Sequence, residues 1–287
     1  MTSAAADEPA RPILPPPIPD GLDATLVLLR HGESEWVREG RFQGQGDSPL
    51  SDLGRRQAAL AARRLANPHA PPPLPIPAAP PTEIVHSPLA RTTQTAAEVR
   101  RAMAGVGGAG TNEIEVRPDA GLLEIGQGDW EGRHHDEIMH RWGSEIAAWR
   151  RRPTEAWAPG GESLAQVQAR VAPALQRLTG RLAEGREPGT LDRSQVSGYQ
   201  GTAPAGSQPW ALLIGHDGVF KIVLLTLFGL PLQRFWMFSF ALCGITVVEI
   251  RAGRAVLVAH SLTEHLAPLL DEASIEAAER RARSGAL

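Results

Sequence analysis

Two apolar runs in this chain each break at a histidine, and that repeated break limits what the chain can fold into. Thr25-Leu26-Val27-Leu28-Leu29 runs into Arg30-His31-Gly32-Glu33-Ser34, and Trp210-Ala211-Leu212-Leu213-Ile214 runs into Gly215-His216-Asp217-Gly218. Short continuous apolar runs bounded by glycine read as strands buried on both faces, the kind that parallel sheets use. A strand ending in a cation, an imidazole and a glycine delivers polar groups to one edge of a sheet, where open α/β folds hold ligands. Taken alone, either break could also be an ordinary strand end with solvated polar residues.

The rest of the chain alternates strand and helix. Ser51 is placed to cap a helix over Leu53 to Leu65, rich in alanine, arginine and leucine. Ile84-Val85-His86 reads as a strand, Thr92 to Met103 as a helix, and Glu113 to Val116 as a short edge strand ahead of Pro118. Helices are expected at His135 to Arg151, with Ile138, Trp142, Ile146 and Trp149 as a core-facing stripe, and at Ser163 to Leu182, with a kink at Pro173. A helix from Val219 to Leu227 and two strands, Ile245 to Ile250 and Ala255 to Ala259, close the pattern around the turn Ala252-Gly253-Arg254. Such alternation implies an α/β fold of three layers, α/β/α, with a mostly parallel central sheet. Residues 1–21 read as a disordered Pro-rich tail, 22–270 as one domain with a flexible insertion near 187–208, and 271–287 as a C-terminal helical tail.

Composition narrows the function. A formal charge of −3 on 287 residues gives no global field to recruit nucleic acid or an anionic membrane. Apolar stretches such as Ile222 to Leu230 are too short to span a bilayer, and the N-terminus lacks the basic-then-apolar order of a secretory signal, so a cytoplasmic protein is expected. The single cysteine, Cys243, excludes an internal disulfide and a cysteine zinc cluster, and its apolar surroundings point to packing. Phe235 to Phe240 reads first as core or pocket-wall packing and second as a homodimer interface.

Polar groups recur where strands end: Arg30-His31, Ser87 to Arg91, Leu123-Glu124 with Gly128 to Gly132, and Gly215-His216. Two histidines and two arginines in one crevice suit a phosphoryl group, and arginine's planar fork can hold two of its oxygens. One carboxyl group adds a proton donor. His134, His135 and His86 read as solvated or bland positions and are not assigned chemistry.

Arg30-His31-Gly32-Glu33, Gly44, Asp47 to Ser51, Ser87 to Thr95, Glu124 with Gly-Asp-Trp-Glu-Gly, Gly160-Gly161-Glu162-Ser163 and Gly215-His216, in that order, resemble the histidine phosphatase superfamily, also called phosphoglycerate mutase-like, over residues 25 to 260. The resemblance implies a phosphohistidine on His31, with Glu124 as proton donor and then activator of water. It also implies that Arg30, Arg91 and His216 hold the phosphoryl oxygens, and that Gln43, Gly44, Gly218, Arg30 and Arg91 bind substrate. No metal or cofactor is implied, and the expected partner is a small-molecule phosphate ester. His31 must then be neutral at its attacking nitrogen, with the other nitrogen donating to a backbone carbonyl near Gly32.

The chain departs from the family at Val37, where many relatives carry a phosphate-binding asparagine. Val37 is placed to line a substrate wall instead, and Phe220, with Trp36, Phe42 and Trp157, predicts an apolar outer rim to the pocket. The segment Leu123 to Gly132 resembles the phosphatase branch rather than the Asn-Glu-Arg-His-Tyr-Gly segment of mutases. A broad-specificity or sugar/glycerate phosphatase is therefore expected. A phosphoglycerate mutase and an inactive phosphate-ligand-binding module are the alternatives.

Overall fold

The computed structural model describes residues 17–104, 114–186 and 208–269. The expected insertion, the C-terminal tail, residues 1–16 and Glu113 lie outside the described residues, apart from Gln208 at the insertion's end. The elements run β1 (Ala24–Arg30), α1 (Glu35–Arg38), α2 (Asp52–Ala66), β2 (Glu83–His86), α3 (Ala90–Ala104), β3 (Glu115–Pro118), α4 (His135–Arg151), α5 (Leu164–Ala183), β4 (Trp210–Gly215), α6 (Asp217–Leu227), β5 (Ile245–Arg251) and β6 (Arg254–Leu262). The strands form one sheet in the order β3-β2-β4-β1-β5-β6. β3, β2, β4 and β1 are mutually parallel; β5 runs antiparallel to β1, and β6 antiparallel to β5.

Alternation along β1 sorts the two faces. Leu26 and Leu28 point into the core shared with α4, α5 and α6, whereas Val27 and Leu29 point into the core shared with α2 and α3. The expected three-layer α/β/α architecture is what the chain adopts. The stripe Ile138, Trp142, Ile146 and Trp149 is buried, as its spacing implied.

Local signals place the helix starts. The Ser51 side chain accepts from Gly54 N, and Ser163 forms a capping box with Gln166 at α5. α5 continues through Pro173; the helix with a non-helical interior residue is α4, at Trp142 (φ −132°, ψ 30°). β3 includes Pro118, tolerated because β3 is an edge strand whose missing N–H costs no ladder bond. β5 and β6 join through Ala252 (φ 45°) and Gly253 (φ 79°), the two positive-φ positions that a tight hairpin demands.

Some sequence expectations need correction. Residues 17–21 are packed rather than tail-like: Ile18 joins the core that holds α5, and Thr179 Oγ1 donates to Pro17 O (2.7 Å). Phe42 and Phe220 are core residues, not rim; Phe42 meets Trp130 edge-on, and Phe220 packs on Phe240 and under Gly215. Trp36 is half-buried and Trp157 is exposed. His135 is half-buried with its ring stacked on Phe42, while its neighbour His134 is exposed. The aromatic stretch is divided: Phe235 and Phe240 are buried, Trp236 and Met237 exposed. Among the described residues, no helix is long and apolar enough to cross a membrane.

Candidate active site

Strand register sets three side chains abreast. Arg30 pairs with Gly215 across β1 and β4, so His31 and His216 both lie one residue beyond the same rung. His86 pairs with Ile214, which places Ser87 beside them. His31 N donates to Gly215 O (3.0 Å), and His31 O accepts from Cys243 N (3.2 Å), so its backbone is tied on both sides. The buried Cys243 thus has a packing role, its thiol pushed up by burial.

His31 Nδ1 lies 2.6 Å from Gly32 O. A carbonyl only accepts, so Nδ1 carries the proton and Nε2 carries the lone pair. Burial, then Arg91 and Arg30, holds the imidazole well below its usual titration range. His31 is neutral at neutral pH, with one nitrogen available to attack. Glycine is required beside it: a Cβ on Gly32 would stand 2.4 Å from Gly54 O, so the first turn of α2 presses directly on this loop.

Arg91 enters from the first turn of α3, whose Ala90 N is capped by Asp47 Oδ1 (2.6 Å). It is fully buried, with Nη1 donating to Gly46 O (2.8 Å), Nη2 to Gly44 O (2.8 Å) and Nε to His216 Nδ1 (3.2 Å). Burial lowers its pKa to about 10, which still leaves it a cation at neutral pH. Arg30 Nη1 donates to Phe240 O (2.5 Å), and its Nε is buried without a protein partner. On the other side of the Phe240 Cα, its N–H donates to Asp217 Oδ1 (2.9 Å), and Asp217 is paired with buried Lys221 (2.6 Å).

His216 is the N-cap residue of α6. A guanidinium only donates, so the Arg91 contact makes His216 Nδ1 the acceptor and puts the proton on Nε2, which donates to Ser87 Oγ (2.9 Å). Burial first, then Arg91 and His31, pushes His216 well below the usual range. The two imidazoles meet edge-on, with ring centroids 5.0 Å apart.

Glu124 reaches the N-terminus of α6 from the irregular segment after a short 3₁₀ turn (Ala120–Leu122). Its Oε1 accepts from Ile125 N and Val219 N (both 2.8 Å), and Oε2 accepts from Gly218 N (3.0 Å). Oε2 therefore keeps a free lone pair that can carry a proton. Gly218 makes this approach feasible, because a Cβ there would lie 2.6 Å from Glu124 Oε1.

The structure thus brings together Arg30, His31, Arg91, Glu124 and His216. Gln43, Gly44 and Gly218, expected to touch substrate, have their recorded bonds to protein: Gln43 Oε1 accepts from Ser34 Oγ (2.6 Å), Gly44 O faces Arg91, and Gly218 N faces Glu124. Sequence reasoning missed Ser87 as the partner of His216, and Asp217 as the support behind Arg30. It also missed Arg170 and Gln45, which contact the Glu124 segment. Ser87 and Asp217 carried a signal, their places in the Ser87-to-Arg91 segment and in Gly215-His216-Asp217-Gly218; Arg170 and Gln45 carried none.

A neutral imidazole with a free lone pair, two cations and a carboxyl group define a site for transfer of an anionic group. Residues 26–187 and 198–263 match the Histidine phosphatase superfamily (branch 1), and the chain belongs to that family. Phosphoserine phosphatase 1 of Hydrogenobacter thermophilus is 28% identical, over 86% of this chain and 97% of its own length. The Cronobacter sakazakii protein named Probable phosphoglycerate mutase GpmB is 30% identical, over 86% and 97%. The solved structure of a mycobacterial glucosyl-3-phosphoglycerate phosphatase matches with a TM-score of 0.63 at 27% identity, covering 83% of this chain and 99% of that one. The chain is a phosphatase of the histidine phosphatase type, a class that hydrolyses phosphomonoesters.

Proposed function

We propose that the protein hydrolyses phosphomonoesters through a phosphohistidine on His31, with Glu124 as the proton donor and no metal ion required. The observation that carries this reading is the His31 tautomer: Nδ1 is committed to Gly32 O, which leaves Nε2 as a nucleophile at the foot of two arginines. Nε2 attacks phosphorus, the bond to the ester oxygen breaks, and the Glu124 Oε2 proton goes to the departing alkoxide. Water then attacks phosphorus, the P–N bond breaks, and Glu124 takes the water's proton. Arg30 and Arg91 stabilise charge on the phosphoryl oxygens through both steps, with His216 beside them.

The substrate is a small phosphate ester of the sugar or glycerate type, or a range of such esters. The names of two relatives support this class: phosphoserine and glucosyl-3-phosphoglycerate are both phosphate esters of a three-carbon acid. A mutase reading draws on the third relative.

The test is inorganic phosphate release with chelator present, by wild type, His31→Ala and Glu124→Gln. The panel is nitrophenyl phosphate, phosphoglycerates, sugar phosphates and phosphoserine. Chelator-resistant release that His31→Ala lowers by roughly 10⁴-fold or more is expected. Glu124→Gln should slow the alkyl esters far more than nitrophenyl phosphate, whose leaving group needs little protonation. Undiminished turnover by His31→Ala would sink the nucleophile, and isomerisation of 3-phosphoglycerate without phosphate release would favour the mutase.

A further inference from the structure

Residues 123–127, which carry Glu124, belong to no helix or strand, so their backbone polar groups need partners from elsewhere. Arg170 of α5 supplies partners for two of their carbonyls and for Gly121 O just before them. Nη1 donates to Gly121 O (3.1 Å) and Leu123 O (2.8 Å), and Nη2 donates to Glu124 O (2.9 Å). The remaining donors grip Glu162 in a bidentate pair, Nε to Oε1 (2.9 Å) and Nη2 to Oε2 (2.8 Å). Glu162 Oε2 in turn accepts from Gly126 N (2.8 Å) and from Gln45 Nε2 (3.0 Å), which also reaches Glu124 O (3.1 Å). Burial works against the Glu162 charge, but Arg170, Gly126 and Gln45 together hold its carboxyl below the usual range.

We propose that Arg170 and Glu162 are the positioning pair for the proton donor, a role that rests on the reading of Glu124 as that donor. Arg170 holds the Leu123 carbonyl before the Glu124 Cα and the Glu124 carbonyl after it, and Glu162 holds the Gly126 N–H further along. The direction in which the Glu124 side chain leaves the backbone is thereby set. Because Glu162 neutralises Arg170, the clamp acts through geometry and presents little net charge to the acid. Lysine cannot replace the arginine here, since a single ammonium lacks the planar fork that serves three carbonyls and a carboxylate at once.

Arg170→Lys, Glu162→Gln and, as reference, Glu124→Gln are compared on nitrophenyl phosphate and on glycerol phosphate. The readout is kcat/KM, which covers steps only up to formation of the phosphohistidine. Arg170→Lys is expected to lower kcat/KM on glycerol phosphate by about 10- to 100-fold and on nitrophenyl phosphate by less than about threefold, as befits a misplaced acid. Glu162→Gln should show the same selectivity at smaller size. Equal losses on the two substrates, or none, alongside a selective Glu124→Gln overturn the positioning role and leave the donor standing. An unselective Glu124→Gln removes the donor, and the positioning role falls with it. If Arg170→Lys does not fold, Glu162→Gln, which keeps the side-chain shape, decides by the same criterion.

Discussion

The two ends of β2 handle arginine in opposite ways. At its start, Glu83 is buried and takes Arg181 (2.9 Å) and Arg117 (3.4 Å) as ion-pair partners, and Arg117 also pairs with Glu115, so two carboxylates balance two guanidiniums. Beyond its far end, Arg91 is fully buried, yet its recorded partners are two carbonyls and a neutral imidazole, and Arg30 faces a carbonyl. Carbonyls satisfy a guanidinium's hydrogens without cancelling its charge. One end of the sheet is therefore a neutral clamp, whereas the other keeps positive charge for an incoming anion. The cost falls on the site: burial depresses Arg91 and keeps both histidines neutral.

The largest effect that could break this contrast is at Arg91. Arg91→Met should lower kcat/KM by roughly 100- to 1,000-fold, the scale for losing a donor to developing charge. Weaker inhibition by product phosphate should accompany that loss. If Arg91→Met altered thermal stability alone, the cations at this end would be structural, like those at the other. Glu83→Gln sharpens the opposite side: it should cost roughly 2 kcal/mol, discounted because both arginines are partly exposed, and leave turnover unchanged. Thermal unfolding and phosphate release on the same sample check this, and a drop in turnover per folded molecule would contradict it.

The smallest effect is in pH. His31 and His216 titrate well below about 6.5 when folded and near about 6.5 when unfolded. Below that value the unfolded chain binds more protons than the folded one, so stability should be full above it and decline as the pH falls toward the folded values. The expected result is a Tm that drops by a few degrees between about pH 7 and about pH 5, with a shallower drop in His216→Gln. A flat Tm across this window would contradict the buried neutral pair.

Much of the scaffold was legible because its signals are local. Apolar runs marked β1 and β4, the serines at 51 and 163 marked helix starts, and the tryptophan stripe marked the buried face of α4. Phe220 was misjudged although a signal existed. α6 is apolar on nearly every face, and a helix of that kind is a core helix rather than a pocket wall. Phe42 and Ile18 had no such signal, since each is buried by segments far away in the chain.

By itself the sequence determined which residues could do chemistry, since a strand that ends in histidine must present it at the sheet's edge. Tertiary structure alone decided how those residues act. Arg30 is set by a carbonyl 210 positions away, His216 by Arg91 across 125, and Glu124 by the N–H groups of α6 and by Arg170. Tautomer, charge and aim follow from such contacts. A pattern along the chain records which face of an element is apolar, but not which distant polar atom will meet it.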